Sequence, residues 1–492
     1  MSSILPPEWV EMELGDMSKS IFNELPLSED KADLKKSCLE TACALQDGQL
    51  LKLLAETRDG LIDSKLRSKI WPQLLGFPID PQLGYDFTSS PPHKDEDQVS
   101  KDIDRSFVYY PQNEARKQEL KSRLSDLIVG VLRANPELHY YQGYHDIASI
   151  VVMVFENDNE AFQFLSLLTQ FHLRDHMMSS IDSSVQQLEI IGDLMGCIDP
   201  KFNRVISSVN PIYSLSSILS LFAHNIQSFE DLCLIWDFVF AEKTMVLPLY
   251  IYVSVLVYFK EEILTKLEEE SGSSFSSEDT YFEEDDLPMN LENNLDILHS
   301  ILTNVVGENL GNEFEIFQVL HSSVEYLQNH PPSQLKCFQT RISEFSVLKT
   351  TSKPEGDVPV SSYLEDDRLS TLITKQIDED KAKAEKRRLQ LIASRRPRKT
   401  SSMDNLRKYL YDRVLINRNR KLKVSMFVKI SFTIGILSFL LHYYTDKAQF
   451  RSLYGAGVNG VHNMVIVKFA SFSNTVAGIN FGAAKESVFG LF

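Results

Sequence analysis

Two polar segments of this 492-residue chain carry side chains whose types and spacing could do chemistry. The first, SKDIDRSFVYYP, holds Asp102 and Arg105 three residues apart, and the second, ELHYYQGYHDI, holds Gln142. An arginine offers a planar, permanently charged donor fork that suits phosphoryl oxygens, and a glutamine amide both donates and accepts hydrogen bonds. From the residues alone, these motifs are weak signals, and the simpler interpretation is that Arg105 is a surface charge paired with Asp102 and Gln142 is a solvated loop amide.

Other catalytic patterns are not favoured. His139, His145 and Asp146 cluster, but their spacing matches neither HExxH nor a closed ligand set, so no metal site is predicted. The sequence has no GxSxG, GxxxxGK(S/T) or GxGxxG, so neither an esterase nucleophile elbow nor a phosphate-binding loop is predicted. Five cysteines without a CxxC pair favour reduced thiols.

The segment between the two motifs is predicted to form a helix over 112–135, because its apolar residues recur at intervals of three and four. Further stripes predict helices at 147–155, 185–196, 212–226, 230–240, 246–267, 292–306 and 313–327. Alternating strand patterns are scarce, so the body is predicted to be all-α. A helix of about 22 residues is roughly 33 Å long, so Arg105 and Gln142 meet only if a flanking loop folds back.

The two polar segments resemble the finger motifs of the TBC-domain family, the GTPase-activating proteins of Rab-type small GTPases. Val99, Asp102 and Arg105 resemble the arginine-finger motif IxxDxxR, with valine in place of isoleucine. Residues 140–143 (YYQG) resemble the glutamine-finger motif YxQ, continued by Asp146. The fingers and two flanking motifs stand in the family's order across about 180 residues.

The flanking motifs depart from the family pattern at two positions. Residues 60–76 are similar to its opening G-x-P, LR, W and LLG series, with Ile62 where proline is usual. Trp236-Asp237 resembles a later R-x-W-D block, with Leu234 in place of arginine. Trp71 and Trp236 are predicted to be core side chains, because each lies in an apolar helical context. ELHYYQGYHDI, FHLRDHM and HPPSQL look most like the branch anchored in the endoplasmic reticulum membrane.

The resemblance implies an enzyme activator whose catalytic residues, Arg105 and Gln142, complete the active site of a bound GTPase. A guanidinium supplied by a partner stabilises the charge on the transferred phosphoryl group, and a glutamine amide holds the attacking water in line. GTP and magnesium arrive with the GTP-bound Rab partner, so no cofactor and no metal is implied for this chain.

Four neighbours of the fingers are implied as supporting residues, and other interpretations stay open. Asp102 either orients the guanidinium of Arg105 or caps a helix. Tyr140 either positions the glutamine loop or is a plain core aromatic. Gly143 continues the glutamine motif, and Asp146 either contacts the GTPase or interacts with the dipole of the following helix.

Charge is distributed unevenly along the chain. The net charge of −18 divides into −34 over 1–380, +13 over 381–423 and +3 over 424–492. The acidic body argues against nucleic-acid binding. Residues 424–444 carry Lys429 as their only full charge and would span roughly 31 Å as a helix, close to the thickness of a bilayer core. A buried core helix is the alternative. The basic residues on the N-terminal side predict that this side faces the cytosol.

The predicted organisation is a lead-in at 1–44, a TBC domain at 45–335 with a disordered acidic insertion at 268–288, a cytosolic tether at 336–400 that includes a helix at 365–392, a basic collar at 401–423, a transmembrane helix at 424–444 and a lumenal tail at 445–492. We expect a single-pass protein of the endoplasmic reticulum membrane, or early Golgi, that regulates traffic between the two by activating a Rab GTPase. A catalytically silent Rab-binding scaffold and a plain membrane tether with an unrelated helical body are the alternatives.

Overall fold

The computed structural model describes residues 29–84, 86–108, 113–271, 294–311, 313–353, 360–365 and 367–395. Within these ranges every regular element is helical, which confirms the predicted all-α class. The α-helices are α1 (Glu29–Leu45), α2 (Gly48–Ala55), α3 (Ser64–Leu75), α4 (Glu96–Asp104), α5 (Glu114–Ala134), α6 (Tyr144–Val154), α7 (Asp158–Leu168), α8 (Asp182–Ile198), α9 (Pro200–Ile206), α10 (Leu215–Leu219), α11 (Phe229–Ala241), α12 (Leu247–Tyr258), α13 (Lys260–Ser271), α14 (Leu295–Asn309), α15 (Glu313–Asn329), α16 (Lys336–Thr340), α17 (Val360–Leu364) and α18 (Arg368–Arg395).

The helix that separates the two fingers is α5, and a capping side chain marks its start. The side chain of Asn113 accepts a hydrogen bond from the backbone N–H of Arg116, which satisfies one of the free donors of the first turn. Its buried side chains follow the predicted stripe from Leu120 to Leu132. The predicted helix over 112–135 is therefore confirmed to within two residues.

The centre of the core is built from α11 and α12, each of which buries ten residues. Helices that are apolar all round are surrounded by other helices, and α12 fits this rule because both its faces are covered. Trp71 on α3 and Trp236 on α11 are fully buried, with ring centroids 5.7 Å apart. The prediction that both tryptophans belong to the core is confirmed.

One predicted helix, at 212–226, is wrong over most of its length. The chain makes a 3-10 turn at Pro211–Ser214 and the short α10, and then reverses. Leu221 and Phe222 have φ of 48° and 67°, and the indole N–H of Trp236 donates to the Leu221 carbonyl at 2.9 Å. The apolar residues at 212–226 have the spacing of a helix in the sequence, but in the structure they pack around a turn. The predicted helix at 246–267 is likewise divided, at Phe259, into α12 and α13.

The packed body extends beyond the predicted domain boundaries of 45 and 335. In the predicted lead-in, α1 buries Lys35, Cys38, Leu39 and Ala42. The predicted tether contributes buried residues at 342, 347, 348, 369 and 377, and α18 covers its predicted helix at 365–392. Residues 268–271 of the predicted insertion form the last turn of α13, and 272–288 lie outside the described residues.

Two buried side chains explain why the segment after residue 335 packs on the body although its sequence shows no apolar stripe. Arg174 donates to the carbonyl of Phe345 at 3.0 Å, and Asp175 accepts from the N–H of Val347 at 3.0 Å and from the amide of Gln376 at 2.6 Å. The segment is therefore held in large part by polar contacts, which leave no apolar stripe in the sequence.

Across the part of the chain that the structure describes, no helix is both long and apolar enough to cross a bilayer. The predicted collar at 401–423, span at 424–444 and tail at 445–492 lie outside the described residues.

Candidate functional site

One open cavity of about 630 Å³ is lined by both predicted finger residues, Arg105 and Gln142. Gly143 and Asp146 also line it, whereas Tyr140 and Asp102 lie behind its wall. The chain brings the two motifs together because α4 runs beside the glutamine loop, residues 137–143. Both finger residues therefore line the same cavity, although α5 separates them along the chain.

The contacts between α4 and the glutamine loop are hydrogen bonds at both ends of the helix. At its start, Asp95 accepts from the backbone N–H of Tyr140 at 3.0 Å, and the ring of His93 lies 3.0 Å from the carbonyl of Leu138. At its end, Asp102 accepts from the Tyr140 hydroxyl at 2.7 Å. These bonds set the position of Arg105 relative to the loop.

Arg105 follows the last residue of α4 and remains 55% exposed, while its partner Asp102 is almost fully buried. An arginine Nη2 donates to Asp102 Oδ1 at 2.6 Å. The next turn is set by Phe107, which has φ of 60° and a buried ring. Asp102 lies in the last turn of α4 and binds side chains, so its geometry supports orientation of the guanidinium rather than capping of a helix start.

Tyr140 is buried between the two motifs, and burial together with the hydrogen bond to Asp102 raises the pKa of its hydroxyl. It therefore stays protonated and donates to Asp102. Because its backbone and its hydroxyl both bind α4, the structure supports a positioning role for Tyr140 over that of a plain core aromatic.

Gln142 is exposed at the tip of the loop, immediately before the start of α6. Gly143 forms the N-terminal boundary of α6. Its φ is 110°, a backbone conformation that residues other than glycine rarely adopt. The hydroxyl of Tyr141 donates to the carbonyl of Leu219 at 3.1 Å and so fixes the loop on the opposite wall. This glycine turn is what presents Gln142 to the cavity.

Asp146 lies in the first turn of α6 and faces two histidines. Its Oδ1 is 3.3 Å from His145 Nε2, and its Oδ2 is 3.7 Å from His224 Nδ1. Burial lowers the pKa of His145, whereas the nearby carboxylate of Asp146 raises the pKa of His224. Both interpretations of Asp146 fit this position, since it lies at a helix N-terminus and in the cavity.

Sequence reasoning did not single out most of the residues that line the cavity, and three of them bear on what it can bind. Val108 and Ile181 are 70% and 54% exposed, which gives the mouth two apolar side chains. His224 lies on the far wall, in the segment whose helix prediction was wrong. Isolated apolar residues within polar loops were the available signal for Val108 and Ile181, and the sequence offered none for His224.

The two flanking motifs lie outside the cavity and form one buried network. Asp237, fully buried, accepts from the N–H of Leu61 at 2.8 Å, from the indole of Trp71 at 2.7 Å and from Nε of Arg67 at 3.2 Å. Gly60 has φ of 51°, and a Cβ there would lie 2.2 Å from Asp237 Oδ2. These residues hold α3 on α11, so their role is structural.

A known family matches the segment that holds both finger motifs. Residues 64–264 match the Rab-GTPase-TBC domain family. The chain is 29% identical to GTPase-activating protein GYP8 of Saccharomyces cerevisiae over 68% of this chain and 74% of GYP8. It is 30% identical to TBC1 domain family member 20 of Homo sapiens, over 51% of this chain and 62% of that protein. These matches support the TBC-domain family of Rab GTPase-activating proteins.

A third relative, GTPase-activating protein gyp10 of Schizosaccharomyces pombe, is 25% identical over 66% of this chain and 81% of its own length. The matched segment 64–264 contains Arg105, Gln142 and their four predicted supporting residues, together with Asp237. The comparisons therefore cover the whole cavity wall from α4 to His224.

Proposed function

We propose that this TBC-domain protein accelerates GTP hydrolysis by a Rab-type GTPase, to which it supplies Arg105 and Gln142. The observation that carries the proposal is that both side chains line one open cavity, the arginine held by a buried carboxylate and the glutamine by a left-handed turn. The names of GYP8 and gyp10, both GTPase-activating proteins, support this class of activity.

Arg105 would act on the charge that develops in phosphoryl transfer. A guanidinium has five N–H donors, and the bond to Asp102 uses one Nη2 donor, so others can face the phosphoryl oxygens of a docked nucleotide. Because Asp102 already orders the side chain, less conformational entropy is lost when the arginine engages. An arginine finger supplied in trans accelerates hydrolysis by about 10³ to 10⁵.

Gln142 would orient the attacking water. An amide can accept one hydrogen bond from that water and donate another to the phosphoryl group, which a carboxylate or an ammonium cannot do. The partner GTPase brings GTP and magnesium, and this chain brings the two side chains and the surface that excludes bulk solvent around them.

The proposal extends to the compartment. We propose that the basic collar at 401–423 and the apolar segment at 424–444 hold the protein in the endoplasmic reticulum membrane or early Golgi, with the cavity on the cytosolic side. The support is the charge asymmetry of the sequence and the resemblance to the anchored branch.

The test of activity is single-turnover GTP hydrolysis by a panel of GTP-loaded Rab proteins, with the native chain and with Arg105→Ala or Gln142→Ala. Arg341→Ala is the matched control, because Arg341 is also half exposed and ion-paired but binds Glu189 on α8. We expect Arg105→Ala to lose about 10³-fold or more and Arg341→Ala to lose almost nothing. A native chain that binds Rab without acceleration would indicate a silent scaffold instead.

A further inference from the structure

His145 joins the two halves of the cavity wall. Its side chain is 8% exposed and lies between Tyr140 and Asp146, with Nδ1 3.1 Å from the Tyr140 hydroxyl and Nε2 3.3 Å from Asp146 Oδ1. Through Tyr140 it reaches Asp102, and through Asp102 it reaches Arg105. Neither the finger motifs nor the proposed mechanism uses this histidine.

The number of available protons determines the direction of these bonds. The row Asp102, Tyr140, His145 and Asp146 contains three contacts and has a carboxyl group at each end. The hydroxyl of Tyr140 carries one proton, and its contact with Asp102 at 2.7 Å is shorter than that with His145. Asp102 also accepts at its other oxygen, from Arg105 and Gln98, so the tyrosine proton lies towards Asp102. The tyrosine oxygen must then accept from His145 Nδ1–H.

The surroundings of His145 agree with a neutral ring that is protonated at Nδ1. The charged or titratable groups around it are Asp102, Tyr140, Arg105, Asp146 and His224, and burial lowers its pKa. A neutral imidazole has one proton, so Nε2 has none to give to Asp146. The free oxygen of Asp146 faces His224 instead, where a raised pKa favours the charged ring.

We infer that His145 is a positioning residue that keeps the Tyr140 hydroxyl on Asp102 and thereby aims Arg105; this inference rests on the proposed function. With the hydroxyl bound to Oδ2, Arg105 meets Asp102 through Oδ1 alone. Without the Nδ1–H donor, the Tyr140 oxygen loses one of its two hydrogen bonds, so the hydroxyl is held on Oδ2 less firmly. When the hydroxyl leaves Oδ2, that oxygen is free for Arg105, and arginine–carboxylate pairs frequently use both oxygens. A two-point pair would withdraw the guanidinium from the cavity.

The kinetic test compares two substitutions of His145 in the full chain. His145→Gln keeps a donor that can reach the Tyr140 oxygen, and His145→Leu removes it. We expect His145→Leu to lower kcat about three- to tenfold with little change in KM, and His145→Gln to restore most of the rate. His299→Leu, a half-buried histidine on α14, is the matched control and leaves kcat unchanged.

The same comparison in an Arg105→Ala background separates positioning from general damage. If His145 acts through the arginine, His145→Leu has no further effect once Arg105 is absent. An equal fall of kcat in both backgrounds, or a change in KM alone, would overturn the inference. Thermal unfolding of each variant identifies any that has lost its fold, and in that case the glutamine variant decides.

A second measurement reads the hydrogen bond without any GTPase. Histidine labelled with ¹⁵N in the full chain reports which ring nitrogen carries the proton, and we expect Nδ1 in the native chain. Tyr140→Phe removes the acceptor and shifts this tautomer. An Nε2-protonated ring, or a tautomer unaffected by Tyr140→Phe, would overturn the inference. If no Rab is activated, the proposed function alone fails, while the tautomer still decides the bonding scheme.

Discussion

A fully buried lysine lies close to Asp237 and Arg67, in the buried network of the two flanking motifs. Lys35 on α1 has no exposed surface, and its Nζ donates to the backbone carbonyl of Arg58. Burial lowers its pKa to about 7, although Asp59 and Asp237 oppose the shift. The ammonium is therefore only partly retained at neutral pH, and folding is coupled to the release of a proton.

Stability should consequently rise with pH above neutrality. Between about pH 7 and 10 the unfolded lysine keeps its proton while the folded one has lost it, so raising the pH favours the folded state; below about pH 7 both forms are protonated and the effect is absent. We expect the thermal midpoint of the native chain to rise over this window and that of Lys35→Met to rise less. Lys36→Met is the control, because Lys36 is exposed on the same helix. Parallel curves for all three would show that Lys35 does not titrate there.

Asp237 is the residue on which the flanking motifs converge, and its removal should be costly. Asp237→Ala would leave Arg67 buried without this partner, and the indole of Trp71 and the N–H of Leu61 without their acceptor. Breaking a buried pair by deleting one member costs about 3 to 5 kcal/mol. Denaturant unfolding measures this loss.

The control for this prediction is a surface pair of the same type. Glu189→Ala removes the partner of Arg341, and exposed pairs contribute at most about 1 kcal/mol. Equal losses for the two variants would contradict the buried role of Asp237.

At the scale of elements, periodicity predicted those helices that pack through an apolar stripe. The helices α5, α6, α8, α11, α14 and α15 all follow predicted stripes, because each buries one continuous face or is surrounded. The turn at Leu221 and Phe222 could not be predicted, since its cause is a carbonyl that binds Trp236 from another helix. Residues 341–353 were missed because polar contacts, which leave no period in a sequence, hold much of this segment.

The same contrast applies to the cavity. The types and spacing of Arg105 and Gln142, together with the family resemblance, predict that these two residues are the fingers. That α4 runs beside the glutamine loop depends on Asp95 and Tyr140, which are 45 residues apart and show no shared pattern. His145 was considered only as a metal ligand, because its contacts with Tyr140 and Asp146 appear only in three dimensions.

The polar anchor at Asp175 makes a prediction for α18 and the segment before it. Asp175→Asn weakens acceptance from Val347 and Gln376, so we expect faster amide hydrogen exchange at 343–353 and 368–380. The backbone N–H of His139 donates to the carbonyl of Met177 at 2.8 Å, so exchange in the glutamine loop should rise as well. Exchange in α3 and α11 should stay as it is.

The control for the exchange experiment is Glu344→Gln. Glu344 is exposed and pairs with Lys349 in the same segment, so its substitution should leave exchange nearly unchanged. Unchanged protection of 343–353 in Asp175→Asn would mean that the apolar residues of the segment suffice to hold it.

On the scale of the whole molecule, the charge of the sequence divides at about residue 380. The body carries −34 and would be repelled by an anionic membrane surface, whereas 381–423 carries +13 and would be attracted to it. The described part of the body has its own continuous core, and both predicted finger residues line a cavity of that body. Activation of the GTPase and attachment to a membrane should therefore be separable.

A chain that ends at Lys423 tests this separation. We expect it to keep the full rate acceleration of the native chain but to leave the membrane pellet at about 1 M salt, where attraction between the collar and lipid headgroups is screened. At low salt the +13 segment should still bind vesicles that contain anionic lipid and not neutral ones. If the apolar segment of 21 residues at 424–444 lies in the bilayer, the native chain should remain in the pellet at both salt concentrations, because removing an apolar segment from a bilayer does not depend on ionic strength. A glycosylation acceptor placed near residue 455 should be modified if the tail is lumenal. A shortened chain that resists high salt would place the anchor before residue 424, and a shortened chain that is released but inactive would show that the membrane segment is needed by the fingers.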